Sequence, residues 1–556
     1  MKKIKKAIPL ILCLTMCLML LAACGGSGDS GTTSPEASAQ PGTSASPSAP
    51  PSPGATAPGG ESGGEAVGDV AEEGATYADH IEIIIDNNRI SVINPMIPGS
   101  NITPSHWIMF MIYDRLVYYD ETAQVFLPAL ATEWNTDDYI TFSFKLRDDV
   151  YFHNGEHFTA QDIADTRDLA EEATGTMMSS QWRPVETVNI ISDYEVELVL
   201  SSINVDFLMN LAQPQAGILN KKAVDADPED GPLVGTGPFI VTDFLTNEHT
   251  SLERFDGFWG ELAPTRSITM RFIPEVSARA TMMLNGEAQL CFSISSEDMH
   301  LFENDSYNIF PLIMNNPQGL SFNMQHPVTG DRNFRLAVLH AMNRTDIATV
   351  AAGDWAWGVS DEYYGESVWG IATAFRSILP VYGTDLDLAR DYLAQSSYNG
   401  EVIQITASVS TNVKGAEILQ QQLAAVGINS EINETDTAGL NAQFRTPDHH
   451  IIYHGITFTY AAGSANHVYI PGGAQNRGNY DNPEVTRLLT EASVSLNATE
   501  RAALYHEAQQ LIYEDMPFAN ILWRLNGVVG TRGIGGLILP NDTHSTQLRG
   551  LYWITD

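Results

Sequence analysis

Histidine, glycine and cysteine motifs are the first places to look for chemistry in this 556-residue chain. His153 and His157 stand four residues apart in His-Asn-Gly-Glu-His. Two imidazoles at that spacing hold zinc when a helix carries them in the order His-Glu-x-x-His. Here the order differs, and Asn154-Gly155 favours a turn. The pair His506-Glu507 lacks a second histidine at the required spacing. Gly235-Thr236-Gly237 suits a tight turn and lacks the strand-to-helix setting of a phosphate loop. Cys291 lies in the apolar run Leu290-Cys291-Phe292 and is expected to be a buried, inert thiol. A surface hydrolase would need a nucleophile beside a base, or a carboxylate pair. No local motif supplies either, so no catalysis, cofactor or metal is expected.

Cys24 is a different case. Lys2, Lys3, Lys5 and Lys6 precede an apolar run from Ala7 to Ala23 that ends in Leu21-Ala22-Ala23. A basic start, a short apolar stretch and small residues describe a secretory signal over residues 1–23. A cysteine placed directly after them resembles a bacterial lipoprotein box, which implies that Cys24 becomes the lipidated first residue of the mature chain. The alternative is a membrane anchor, since the run touches the ~17-residue lower limit for a span. Leu-Ala-Ala-Cys followed by Gly-Gly-Ser favours the lipoprotein.

Residues 24–76 are dominated by Ser, Pro, Ala, Gly and Thr, with no Lys or Arg. Such a stretch cannot offset its ordering entropy and is expected to be a disordered tether. As a flexible coil it reaches about 40 Å. Residues 77–556 exceed the ~250–300 that one core supports, so at least two lobes are expected. The formal charge of −39, made more negative when four lysines leave with the signal, argues against nucleic acid and anionic lipid surfaces as partners.

Along the folded part, Ile81–Ile85 is a short strand, and Thr103 with Pro104 opens a helix expected to run to about Tyr118. Alternating Ile140, Phe142, Phe144 and Leu146 make a strand, and Thr159 with Asp162 forms a capping box. Strands are also expected at 196–200, 239–241, 268–273, 402–407 and 451–453. Helices are expected at 331–341, 386–394, 416–426, 483–492 and 501–513. Helices interleaved with strands make each lobe α/β. Asp114-Arg115 and Arg147-Asp148-Asp149 have the composition of ion-paired joints.

Several longer runs then converge. The chain has Ile112-Tyr-Asp-Arg-Leu-Val-Tyr-Tyr-Asp120, Leu127-Pro-Ala-Leu-Ala-Thr-Glu-Trp134 and Phe144-Lys-Leu-Arg-Asp-Asp-Val-Tyr-Phe-His-Asn-Gly155. Gly235-Thr-Gly-Pro-Phe239, Leu252 to Trp259, Asn333 to Arg344 and Asn479-Tyr-Asp-Asn-Pro483 follow in order. Together they resemble the extracytoplasmic solute-binding proteins of family 5, the oligopeptide, dipeptide and nickel binders of ABC importers. The resemblance implies a two-lobed α/β clamshell with an extra subdomain in the first lobe. It places the first lobe at 77–293, its inserted subdomain at about 105–232, the second lobe at 294–519 and a return to the first lobe at 520–556. It also implies a monomer that delivers a small solute, foremost a peptide or peptide-like one, to permease and ATPase subunits. An oligosaccharide, an opine or a metal chelate is the alternative cargo, and a signalling lipoprotein the alternative role.

Peptide binders of this family hold the free amine with an Asp in a Gly-Trp-x-x-Asp-Tyr-like stretch. The corresponding positions here are Ile456 for the Trp and Thr459 for the Asp. Candidate ligand contacts are Asn94, His106 and Trp107 in the first lobe. In the second lobe they are Trp355, Trp357, Trp369, His454, Tyr460, Arg477 and Tyr480. Aromatic walls with a few polar anchors suit amides and rings, and the bidentate fork of Arg477 suits a carboxylate or phosphate. Replacing Cys24 by Ser is expected to abolish incorporation of a radiolabelled fatty acid and to release the protein from membranes; retained label would refute acylation there.

Overall fold

The computed structural model describes residues 67–70, 74–86, 92–98, 100, 103–120, 125–295, 298–313, 317–353, 356–357, 382–408, 410–444, 446, 448–456, 464–473, 475–539 and 546–555. Alternation in the strand His80–Ile85 sends Ile81, Ile83 and Ile85 into the first core. Ile84 points the other way, into a small cluster with Cys291, Met299, Phe302 and Val529. The first-lobe sheet runs Phe239–Leu245, His249–Arg254, Ser267–Phe272, His80–Ile85 and Leu290–Ile294, with His80–Ile85 parallel to both its neighbours. The second core gathers Leu320, Phe322, Ile403, Ile405, Leu419, Ile451 and Tyr453. Its sheet runs Ser430–Glu434, Ile403–Ala407, Ile451–Gly455 and Gln318–Phe322, the first three mutually parallel.

One long strand, Phe518–Thr531, belongs to both sheets. Its first part pairs with Gln318–Ser321 of the second lobe, and Gly527 to Gly530 pair with Leu290–Ile294 of the first. Tyr307–Ile313 runs antiparallel to residues 525–531 of the same strand. The two-lobed α/β architecture is therefore present. Met299 and Phe302 pack in the Cys291 cluster, while Ile521 and Leu522 lie in the second core. Pairing begins earlier than residue 77, with Val67 bridged to Leu537.

The inserted region is a four-stranded antiparallel sheet in the order Ala131–Asn135, Thr141–Leu146, Glu195–Leu200 and Val185–Ser192. Phe142, Phe144, Val196 and Leu198 from its buried face join the first core, as does Ile163 of the helix Ala160–Glu172. That helix opens on the expected capping box, with the Thr159 amide donating to Asp162 Oδ2 at 2.8 Å.

The helix that begins at Thr103 ends at Ile112, short of Tyr118. Beyond it, Tyr113 donates its hydroxyl to the Pro232 carbonyl, and Val117–Asp120 pairs with Val125–Pro128. The fully buried Asp114 accepts from Trp259 Nε1 at 2.7 Å and pairs with Arg549 Nη2 at 2.5 Å, so its ion-pair partner is Arg549 rather than Arg115. Arg115 instead lies over the rings of Phe110 and Tyr118, 4.1 and 4.5 Å from their centroids. Arg147 does pair with Asp149, at 2.7 Å.

Glycine at 319 is set by the junction of strands: a Cβ there would lie 2.1 Å from the Ala519 carbonyl oxygen. Gly319→Ala should lower stability by about 2 kcal/mol, as overpacking against backbone does. Gly383→Ala, where nothing lies within 4 Å, is the control that should stay within about 0.5 kcal/mol. Urea midpoints followed by circular dichroism compare the two.

Candidate functional site

The second lobe brings His454 and Arg477 together from separate elements. His454 lies on the strand Ile451–Gly455, opposite Gly319 of the neighbouring strand, and its Nε2 sits 2.7 Å from Ser321 Oγ. Arg477 stands on the loop after the helix Ser464–Tyr469, and its Nη1 donates to His454 Nδ1 at 2.9 Å. The guanidinium also lies 5.2 Å from the Phe444 ring centroid.

Its loop is held tightly. Asn476 accepts the Tyr480 amide at 2.8 Å and donates to the carbonyls of Ile470 and Tyr480. Asn479, at φ 50°, donates to Asn323 Oδ1 at 3.1 Å. Gly478 packs so closely that a Cβ would lie 2.5 Å from the Phe322 carbonyl oxygen. The ring nitrogens of His449 lie 2.8 and 3.0 Å from the carbonyl oxygens of Thr446 and Arg477. Arg477 is therefore a pre-positioned cation, with little conformational freedom left to lose on binding.

Its electrostatics follow from that setting. Burial pulls the guanidinium below its usual value, although it stays charged at any physiological pH. Burial, and then the Arg477 charge, hold His454 down to about 3. The neutral ring accepts from Arg477 at Nδ1, which puts its proton on Nε2, facing Ser321. The Gly455 carbonyl, 2.7 Å from the same Nδ1, would favour the opposite tautomer. A ring nitrogen cannot both accept and donate, and the always-protonated arginine decides in favour of acceptance. Arg477 Nε is buried and makes no hydrogen bond, and no carboxylate among the described residues pairs with the side chain.

The other expected contacts are scattered. Tyr480 turns inward: it is buried and donates to Asp515 Oδ2 at 2.7 Å, where burial and that carboxylate push its phenol up. Asn94 is buried in the loop 92–98, accepts the Met96 amide at 2.8 Å, and borders a first-lobe cavity of about 680 Å³ with His153, Glu229, Asp230, Leu233 and Asp243. His106 is buried against Gln215, and Trp107 packs 4.3 Å from Phe292 in the first core. Trp355, Trp369 and Tyr460 lie outside the described residues; Trp357 is described only by its backbone pairing with Trp523. Thr459 is also outside them, whereas Ile456 is buried in the second core.

His153 and His157 are occupied by the carbonyls of Gly237 and Asp148, at 2.9 and 3.0 Å. Among the described residues, no group of three His, Cys, Asp or Glu side chains is placed to hold a metal. Cys291 is buried, and burial pushes its thiol well up, as suits an inert side chain. Ser321, Phe444 and His449 were not legible as site residues, because each reaches Arg477 or His454 only through non-local packing.

Two α/β lobes are joined by a shared strand, and the second lobe holds Arg477 between His454 and Phe444. The chain belongs to the bacterial extracellular solute-binding proteins, family 5, whose middle region matches residues 125–477. As a member of that family it is a solute-binding protein that acts outside the cytoplasm. It is similar to the glutathione-binding protein GsiB of Escherichia coli K12, 25% identical over 431 residues, or 73% of this chain and 82% of that protein. Among solved structures it resembles CtaP of Listeria monocytogenes (TM-score 0.77, 21% identity, 86% of this chain and 100% of that one). It also resembles NikA of Brucella suis in complex with Fe(III)-EDTA (TM-score 0.75, 21% identity, 84% and 99%).

His454 also makes a pH prediction. Its folded value of about 3 lies below the ordinary 6.5, so the unfolded chain binds the extra proton between those limits. Stability from this group is complete above about pH 6.5 and falls as the solution is acidified, by up to about 1.4 kcal/mol per pH unit. His454→Asn should be less stable than wild type at pH 8, and the gap should narrow by pH 5. Denaturant unfolding at several pH values checks this, and a gap independent of pH would refute it.

Proposed function

We propose that the protein is a lipid-anchored receptor, held by Cys24, that captures a peptide-like solute carrying a carboxylate and hands it to its importer. The observation that supports this is the Arg477 head: charged, partly desolvated, braced by a neutral imidazole and an aromatic ring, with Nε unused. A cation taken out of water costs several kcal/mol unless an anion joins it. A carboxylate matches the guanidinium fork in geometry as well as charge. Thr459 stands where peptide binders carry the amine-holding Asp, so that position supplies no carboxylate for an ammonium, and this reading puts recognition on the solute's acidic end. The E. coli relative is named for glutathione, a small peptide with two carboxylates, which fits the same chemistry. An opine or a metal chelate rich in carboxylates would use the same anchor; a neutral oligosaccharide would not.

The test is a thermal-shift and calorimetry panel of glutathione, short peptides, their amide-capped forms, opines and neutral sugars. A ligand at 100 times its Kd adds about 2.7 kcal/mol of stability. Arg477→Ala should weaken the acidic ligand at least ~30-fold, in line with about 2 kcal/mol for truncating one partner of a charge pair. Capping the ligand's carboxylate should cost the wild type a similar factor and the variant almost nothing. Equal affinity of both proteins for acidic ligands would overturn the anchor.

A further inference from the structure

The C-terminal end of the chain forms a short ribbon in which Ile534–Gly535 pairs with Tyr552–Trp553. A two-stranded ribbon leaves two open edges, each able to take another strand. Both edges are taken by the chain's own N-terminal segment. On one, the Val67 amide donates to the Leu537 carbonyl at 2.7 Å and the Asp69 amide to the Ile534 carbonyl at 2.8 Å. On the other, the Ala78 amide donates to Trp553 at 2.9 Å and the Thr555 amide to Thr76 at 3.0 Å.

Asp69 is the fastening point. Its Oδ2 accepts the Gly533 amide at 2.6 Å, its Oδ1 lies 3.5 Å from Arg532 Nη1, and its carbonyl accepts the Tyr552 hydroxyl at 2.9 Å. Arg532 is itself braced by Asn308 Oδ1 at 2.6 Å. The two backbones pass in contact: a Cβ at Gly68 would lie 2.4 Å from the Ile534 oxygen, and one at Gly535 would lie 2.4 Å from the Asp69 oxygen. Gly68 has φ +115°, which side-chain-bearing residues rarely adopt. A segment that merely trailed from the body would need none of these features.

We infer that Val67–Asp69 is an orienting latch, which fixes where the tether leaves the body and so turns the C-terminal ribbon of the first lobe toward the membrane. This goes beyond the solute reading and rests only on the tether and anchor at Cys24. Magnitudes separate direction from reach. If the tether expected from composition is counted over residues 24–66 instead of 24–76, its reach as a coil falls only from about 40 to about 36 Å. Length is nearly unchanged, whereas the point at which the tether leaves the body is set by the latch.

The full lipidated protein in nanodiscs tests this in two readouts. Hydrogen exchange should show the amides of Val67, Asp69 and Gly533 protected at least ~10-fold over their intrinsic exchange rates, with protection lost in Asp69→Ala while both cores keep theirs. A fluorophore at Thr555→Cys should then transfer energy to a bilayer dye more efficiently than one at Glu417→Cys in the second lobe. Gly68→Val and Asp69→Ala should close that difference. An unprotected Val67, equal transfer from the two labels in the wild type, an unchanged difference in the variants, or failure to attach to the bilayer would each overturn the latch. Solute affinity stays the same in every arm, so a failure here is distinct from a failure at Arg477.

Discussion

The shared strand Phe518–Thr531 is the constraint on which the rest depends. Its backbone donates to and accepts from the sheets of both lobes, first beside Gln318–Ser321 and then beside Leu290–Ile294. A break in that ladder would strand buried amide groups, at a cost comparable to a lost hydrogen bond for each. Relative motion of the lobes therefore has to twist the strand and its neighbour Tyr307–Ile313 rather than detach them. A connector of this kind suits a pair of states separated by a few kcal/mol, between which a bound solute can choose.

Electrostatics work on two scales in this molecule. The chain as a whole carries a formal −39, which opposes an anionic solute at long range. That field is screened beyond about 8 Å in physiological salt. Arg477 acts within that distance, where partial burial strengthens its charge. Under the proposed function, the local cation supplies the selectivity that the distant field opposes.

Much of the fold was legible because its signals are local. The alternation of Phe142, Phe144 and Leu146, the Thr159–Asp162 box and the Asn-capped helices Pro483–Val494 and Ala498–Asp515 need only neighbouring residues to be read. The long strand escaped because Phe-Ala-Asn-Ile-Leu-Trp-Arg-Leu-Asn-Gly passes from one core to the other and keeps no single period. The end of the first helix at Ile112 escaped because what draws Asp114 out of helical geometry stands at Trp259 and Arg549. At the site, Arg477 was legible by residue type alone. Its partners were not, since His454 and Phe444 meet it through the sheet and a separate loop. Trp107 and Tyr480 show the limit of residue type in the other direction: an aromatic ring fits a core as readily as a ligand wall, and both are buried.

The pairing of Asp114 with Arg549 links residues 435 positions apart. A chain that crosses a membrane N-terminus first delivers the carboxylate long before its guanidinium. The first lobe can bury that carboxylate as an ion pair only once residues from early and late in the chain have met.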